Sequence, residues 1–155
     1  MSYAARVLQP GETIVYEARI HWIVYLGGID CVIAAVPLAI AAVVMDNDTL
    51  RLGLMGAAVI VLVLGLFQML RAWFKVAGTE ITVTSLRVIY KRGLISRNTL
   101  EMNLDKVESV FVQQSILGRM LDFGTVIIRG VGAGLEPVDN IGAPLELHRH
   151  VSAPG

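Results

Sequence analysis

His148 and His150, with Arg149 between them, are the residues of this chain that most readily suggest metal coordination. Side chains two positions apart on a helix point in different directions, and no carboxylate or cysteine set completes a ligand sphere. Metal binding is therefore not expected. Gly130, Gly132 and Gly134 superficially look like a nucleotide loop, but they fall between two strand-like segments rather than between a strand and a helix, which makes them a hairpin turn. Ser115, His21 and Asp122 supply the residue types of a hydrolase without the nucleophile elbow that would present the serine. Asp30 and His21 lie nine positions apart, too far for a pair within one helix, and a proton relay would want several facing polar groups. The expectation is a protein that is not an enzyme and uses no cofactor.

Lys91, Arg92 and Arg97 have a different chemistry to offer. They flank a turn, and if that turn faces a bilayer each cation gains ~1 kcal/mol from anionic headgroups. They are the candidate lipid-contact residues, with solubility of an exposed turn as the plain alternative. Nucleic acid is not an expected partner: formal net charge is zero, and residues 76–155 carry eight basic and eight acidic side chains.

The elements that hold these residues are set by composition. Of 155 residues 55% are hydrophobic and 17% charged, and the excess is concentrated between residues 20 and 73. From Trp22 to Met45 the only charge is Asp30, and from Leu52 to Leu70 there is none. Each run matches the roughly 20 apolar residues that cross ~30 Å of hydrocarbon. Asp30 costs ~2.5 to 3.5 kcal/mol at a helix centre, which the eleven Ile, Leu and Val residues of the same run offset at ~0.3 to 0.6 kcal/mol each. The run starts some twenty residues into the chain and is about twice the length of a signal-peptide core, so it is expected to be retained.

Asp46, Asn47, Asp48 and Thr49 separate helices expected over 20–45 and 50–73, and so short a loop makes them antiparallel. Arg6, Arg19, Arg71 and Lys75 flank the outer ends, whereas the loop offers Arg51 beside two aspartates. The positive-inside rule then places both termini in the cytoplasm. Trp22, Tyr25 and Trp73 suit the interfacial belt on that side, and Pro37 is expected to kink or loosen the first helix. Small residues recur at helical spacing: Gly27, Cys31, Ala35 and Ala39 in the first helix, Gly53, Ala57 and Gly65 in the second. With Asp30 they mark where helices could approach closely, within the hairpin or against a partner. Cys31 is the only cysteine and forms no internal disulfide.

After Lys75 the pattern becomes β. Thr79–Thr84 and Arg87–Lys91 alternate about a turn at Ser85 and Leu86, Thr99–Leu104 places Leu100, Met102 and Leu104 on one face, and Val107–Gln113 follows. Ser115 can cap a short helical turn carrying Ile116, Leu117, Met120 and Leu121, which Gly124 is expected to end. Thr125–Arg129 and Leu135–Ile141 form a hairpin, and Pro144 suits the first position of a closing helix. Glu12–Arg19 also alternates and is a candidate strand of the same sheet. Segment 1–19, a hairpin over 20–75 and a β domain over 76–155 are the expected divisions.

Pro10-Gly11-Glu12, the His21-Trp22 pair, Thr82 through Gly93, Leu104 through Val110, Gln114 through Arg119, Phe123 through Val126 and Asn140-Ile141 together carry a family pattern. In these segments the chain resembles the bacterial PH-like (pleckstrin-homology-like) membrane proteins. The resemblance implies an α+β membrane protein in which a helix pair tethers a bent antiparallel sheet closed by a C-terminal helix. It implies no catalytic residues. Phosphoinositide-binding relatives use a basic pocket in the first strand hairpin, where the nearest basic residues here are Lys91, Arg92 and Arg97. The function expected is a membrane-anchored interaction or scaffold module, whose partners are the lipid bilayer and other membrane proteins or itself. A lipid-reading regulatory domain and a non-catalytic subunit of an enzyme or transporter are the alternatives.

Overall fold

The computed structural model describes residues 4–94, 98–134 and 137–152, and it divides into two compact units. One comprises residues 22–74; the other combines residues 1–21 with 75–155. The second unit is thus discontinuous in sequence, because the apolar hairpin is inserted into it.

In the hairpin unit, a single 3-10 turn over Trp22–Tyr25 leads into helix α2, Leu26–Val44, which runs through Pro37 without a break. Helix α3, Asp48–Gly78, follows after three residues. Asn47 starts it: its side-chain Oδ1 accepts from the backbone N–H of Thr49 at 3.0 Å and of Leu50 at 3.2 Å. Both helices differ from the spans expected at 20–45 and 50–73. Residues 20 and 21 are not helical because they are strand-paired, Trp22–Tyr25 form the 3-10 turn, and the second helix runs on through Gly78. Only 17% of the most apolar window of the first span and 11% of that of the second is buried. A helix of a soluble core would be mostly covered; these two are long and apolar enough to cross a membrane and present their side chains outward.

Among the described residues the β unit has eight strand segments. Its first sheet has the order β1-β2-β3-β4, with β1 at Ile14–Ala18, β2 at Thr79–Thr84, β3 at Arg87–Arg92 and β4 at Asn98–Asn103, all antiparallel. Residues 14–18 therefore belong to the sheet, with a bulge between Ile14 and Tyr16 that breaks their simple alternation. The second sheet pairs β5, Val107–Gln113, with β6, Phe123–Gly130. On the other side of β6 lie β7, Ala133–Gly134, and β8, Val138–Gly142. Gly124 lies inside β6 rather than ending the preceding turn; that helix, α4, spans Ile116–Met120 and gives way at Asp122, whose φ is +55°.

Two features close the sheets on each other. Beyond β1 the chain continues extended: Ile20 bridges Ile141, the Gly142 N–H donates to the Arg19 carbonyl at 2.9 Å, and the His21 N–H donates to the Asn140 carbonyl at 2.6 Å. Helix α5, Pro144–Ser152, packs on β1, β2, β5 and β6, so it touches both sheets. The core between them includes Ile81, Val83, Val88, Val126, Ile128, Ile141, Leu147 and Val151, each no more than 3% exposed. This is the bent antiparallel sheet with a closing helix that the resemblance implies.

Candidate functional site

Thr82 and Thr84 alternate with Ile81 and Val83, so they lie on the outer face of the first sheet, yet both are fully buried. The N-terminal segment covers them. Gln9–Glu12 is a tight turn in which the Glu12 N–H donates to the Gln9 carbonyl at 2.9 Å, with Pro10 fixing one φ and Gly11 taking +86°. A Cβ at Gly11 would meet nothing within 4 Å, so conformation rather than space requires the glycine. The turn delivers Glu12 onto the sheet.

There Glu12 accepts from the Thr84 hydroxyl at 2.6 Å, from the Gln9 N–H at 2.7 Å, and from Arg87 through Nε and Nη2, each at 3.0 Å. Arg87 also donates Nη1 to Glu101 at 2.8 Å and Nη2 to the Val7 carbonyl at 2.8 Å. The Glu12 side chain is fully covered and that of Arg87 is 11% exposed. Burial pushes the Glu12 carboxyl up, but the hydrogen bonds from Thr84, Gln9 and Arg87 and the charge of Arg87 outweigh it and hold it below the usual carboxylate value. The network is structural: both carboxylate oxygens of Glu12 are engaged, and it ties the N-terminal segment across β2 and β3. Helix α1, Ala4–Val7, is held by the same segment, with Ala4 1% exposed. Thr82 Oγ1 is buried on this face, with no hydrogen-bond partner among the described residues.

Lys91 and Arg92 end β3, opposite Glu80 and Thr79 in register. Lys91 is half-buried and shares the outer face with Arg87, whereas Arg92 is exposed at the strand end. Thr79 is the first residue after α3, and the Gly93 N–H donates to the Gly78 carbonyl at 2.8 Å, so this strand end is the one where the chain re-enters the β unit. Arg97 lies outside the described residues. His148 and His150 do not converge: the His150 ring stacks on Tyr16 at 4.8 Å with its Nδ1 2.8 Å from the Glu146 carbonyl. Burial, with the charges of Glu146 and Asp122, pushes the Tyr16 phenol up. Among the described residues no group of three or more His, Cys, Asp or Glu is placed to hold a metal ion.

Within the hairpin the small residues separate into two sets. A Cβ at Gly65 would sit 2.9 Å from Cys31 Cβ and 3.0 Å from the Gly28 carbonyl, and one at Gly27 would sit 2.8 Å from Gln68 Oε1. Gln68 Nε2 lies 3.3 Å from Cys31 Sγ. Gly27, Gly28, Cys31 and Gly65 thus form the close approach of α2 and α3, and Ala35 is buried along α2. Gly53 meets nothing within 4 Å; Asp30 and Ala39 are exposed and Ala57 is half-buried. Gly28 falls outside the helical spacing of the small residues, and its signal in the sequence is its position beside Gly27.

At the opposite side of the β unit from the Glu12 network, the chain between β5 and β6 is built tightly. Ser115 Oγ accepts from the Gly118 N–H at 3.0 Å, and Gln114 Nε2 donates to the carbonyls of Gly118 at 3.3 Å and Phe123 at 3.2 Å. A Cβ at Gly118 would stand 2.6 Å from the Phe123 carbonyl, and one at Gly124 would stand 2.7 Å from that of Gln113. These contacts account for the Gln-Ser and Phe-Gly elements of the pattern as turn architecture. Asn140 adopts a φ of +64° where β8 turns to meet Arg19 and His21, a conformation asparagine tolerates.

Comparison with curated proteins and with solved structures returns no match. The family model described as bacterial PH domain matches residues 23–153, which takes in both apolar helices and everything from β2 to α5. With its two sheets, its closing helix and this match over most of its length, the chain belongs to the bacterial PH domain family.

Proposed function

We propose that this protein is a non-enzymatic interaction module anchored in the bacterial inner membrane, with its PH-type domain at the cytoplasmic face, assembling with itself or with other membrane proteins. The observation that supports this reading is the insertion of the exposed apolar hairpin between β1 and β2. Both of its ends are continuous with hydrogen-bonded strands, so the domain is tethered at two points rather than hung on one flexible linker. Arg6, Arg19, Arg71 and Lys75 at the outer ends favour a cytoplasmic placement of both termini. Within the apolar stretches Leu26–Val44 and Leu52–Leu70 the polar side chains besides Cys31 are Asp30 and Gln68, too few groups for a transport pathway. Copurification of the full chain from mild detergent at native expression is expected to return a defined oligomer or a stoichiometric membrane partner; a clean monomer would count against the proposal. A partner with enzymatic or transport activity would make the chain an accessory subunit.

A second reading, anionic-lipid sensing, draws on the position of Arg92 opposite Thr79 and of Lys91 beside it, one strand step from the apolar helix. Charge reversal at Lys91, Arg92 and Arg97 is expected to reduce any preference of the reconstituted protein for anionic lipid. Unchanged preference would remove this reading and leave the first.

A further inference from the structure

Four large apolar side chains of α4 and its cap project from the β unit: Ile116 is 82% exposed, Met120 76%, Leu117 64% and Leu121 41%. They are presented by a rigid turn, since the Ser115 cap, the Gln114 bridge and the fit of Gly118 against the Phe123 carbonyl fix its backbone. Nothing in that architecture requires apolar residues on the outside.

The turn also has a definite place. Phe123, which follows it, stacks on His21 at 5.4 Å, and His21 is the last residue before the chain leaves for the apolar helices. Gly124 pairs with Ile141, which bridges Ile20, and across the first sheet Ala18 pairs with Ile81, two residues from the point where the chain returns at Thr79. The α4 turn is therefore at the end of the β unit where both chain crossings lie. At the far end, by the Ser85–Leu86 and Val131–Gly132 turns, the exposed apolar residues among those described are spread over separate segments: Ile14 and Val15 at the start of β1, Leu86, and Val131.

Resting on the membrane reading above, we infer that α4 is a further membrane contact, a short interfacial wedge whose apolar side chains enter the headgroup and acyl boundary of the bilayer that holds the hairpin. Apolar residues with a cation, here Arg119, form the composition that favours this boundary. Lipid is the occupant because the two covalent crossings keep this end of the unit at high effective concentration beside the bilayer.

The test uses the full chain in vesicles of phosphatidylethanolamine and phosphatidylglycerol, in a Cys31→Ala background, with an environment-sensitive fluorophore at Leu117→Cys, Val131→Cys or Ile60→Cys. The label at 117 is expected to emit at shorter wavelength than that at 131 and to lose fluorescence to a spin label carried near the lipid headgroup. The label at 131 should respond only to aqueous iodide, and that at 60 only to a spin label deep in the acyl chains. Iodide access at 117 equal to that at 131, with 60 still quenched by deep lipid, would overturn the wedge and leave the anchor intact. Shielding at 117 from iodide without quenching by lipid would overturn it in favour of a protein partner. Iodide access at 60 would overturn the anchor and the wedge together.

Discussion

Ile33 and Ile60 in the hairpin are each 62% exposed, whereas Ile89 and Ile141 in the β unit are 2% and 0% exposed. The same residue type is sorted oppositely by two units of one chain. Burial in the β unit removes apolar surface from water, at roughly 25 cal/mol per Å². In the hairpin the helices contact each other through a narrow seam of small residues and turn the rest outward, the arrangement that suits a hydrocarbon solvent. Polar groups follow the same division. The β unit buries Glu12 and Arg87 by pairing them, while the hairpin confines its hydrogen bonding to the backbone, apart from contacts such as Gln68 with Cys31.

The contrast is broken most strongly at Glu12. Glu12→Ala would leave Arg87 nearly buried without its main partner, a loss of about 3–5 kcal/mol, read as a lowered thermal midpoint of the detergent-solubilised protein. Leu147→Ala removes a fully buried side chain from α5 and should cost about 2–5 kcal/mol in the same assay. In the hairpin, Gly65→Leu overfills the seam against Cys31 and Gly28 and should cost about 1–3 kcal/mol, while Gly53→Leu, which meets open space, should be tolerated. A differential scan of both variants checks this pair.

Acidification gives a smaller, directional effect. Because the folded Glu12 pKa lies below the ordinary value of 4.5, its contribution is fully present above about pH 4.5 and is lost as pH falls through the lower folded value. Glu12→Gln should flatten that acid limb in a pH series of unfolding midpoints. Smallest of all, Leu64→Ala changes a side chain already 51% exposed and should change stability by no more than about 0.5 kcal/mol, leaving the thermal midpoint nearly where it was.

Much of the fold was legible because its signals are local. The Ser85–Leu86 turn, the alternation of Thr79–Thr84, the Ser115 cap and Pro144 at the start of α5 each depend on a few neighbouring residues. Helix ends were less legible. Ile20 and His21 read as the start of an apolar helix, but pairing with Ile141 and Asn140, more than a hundred positions away, holds them extended. The Glu12–Arg87 pair was equally hidden: Pro10-Gly11-Glu12 and Arg87 could be recognised as pattern residues, yet their partnership spans 75 positions and the whole hairpin. The apolar residues of α4 were visible as one side of a turn, but their outward direction follows from tertiary packing.

The central claim, that the two units are built for different solvents, is tested most directly by alkaline carbonate extraction of membranes from cells expressing the full chain. The account predicts that the protein stays with the sedimented bilayer as an integral component. Quantitative release into the supernatant would contradict it.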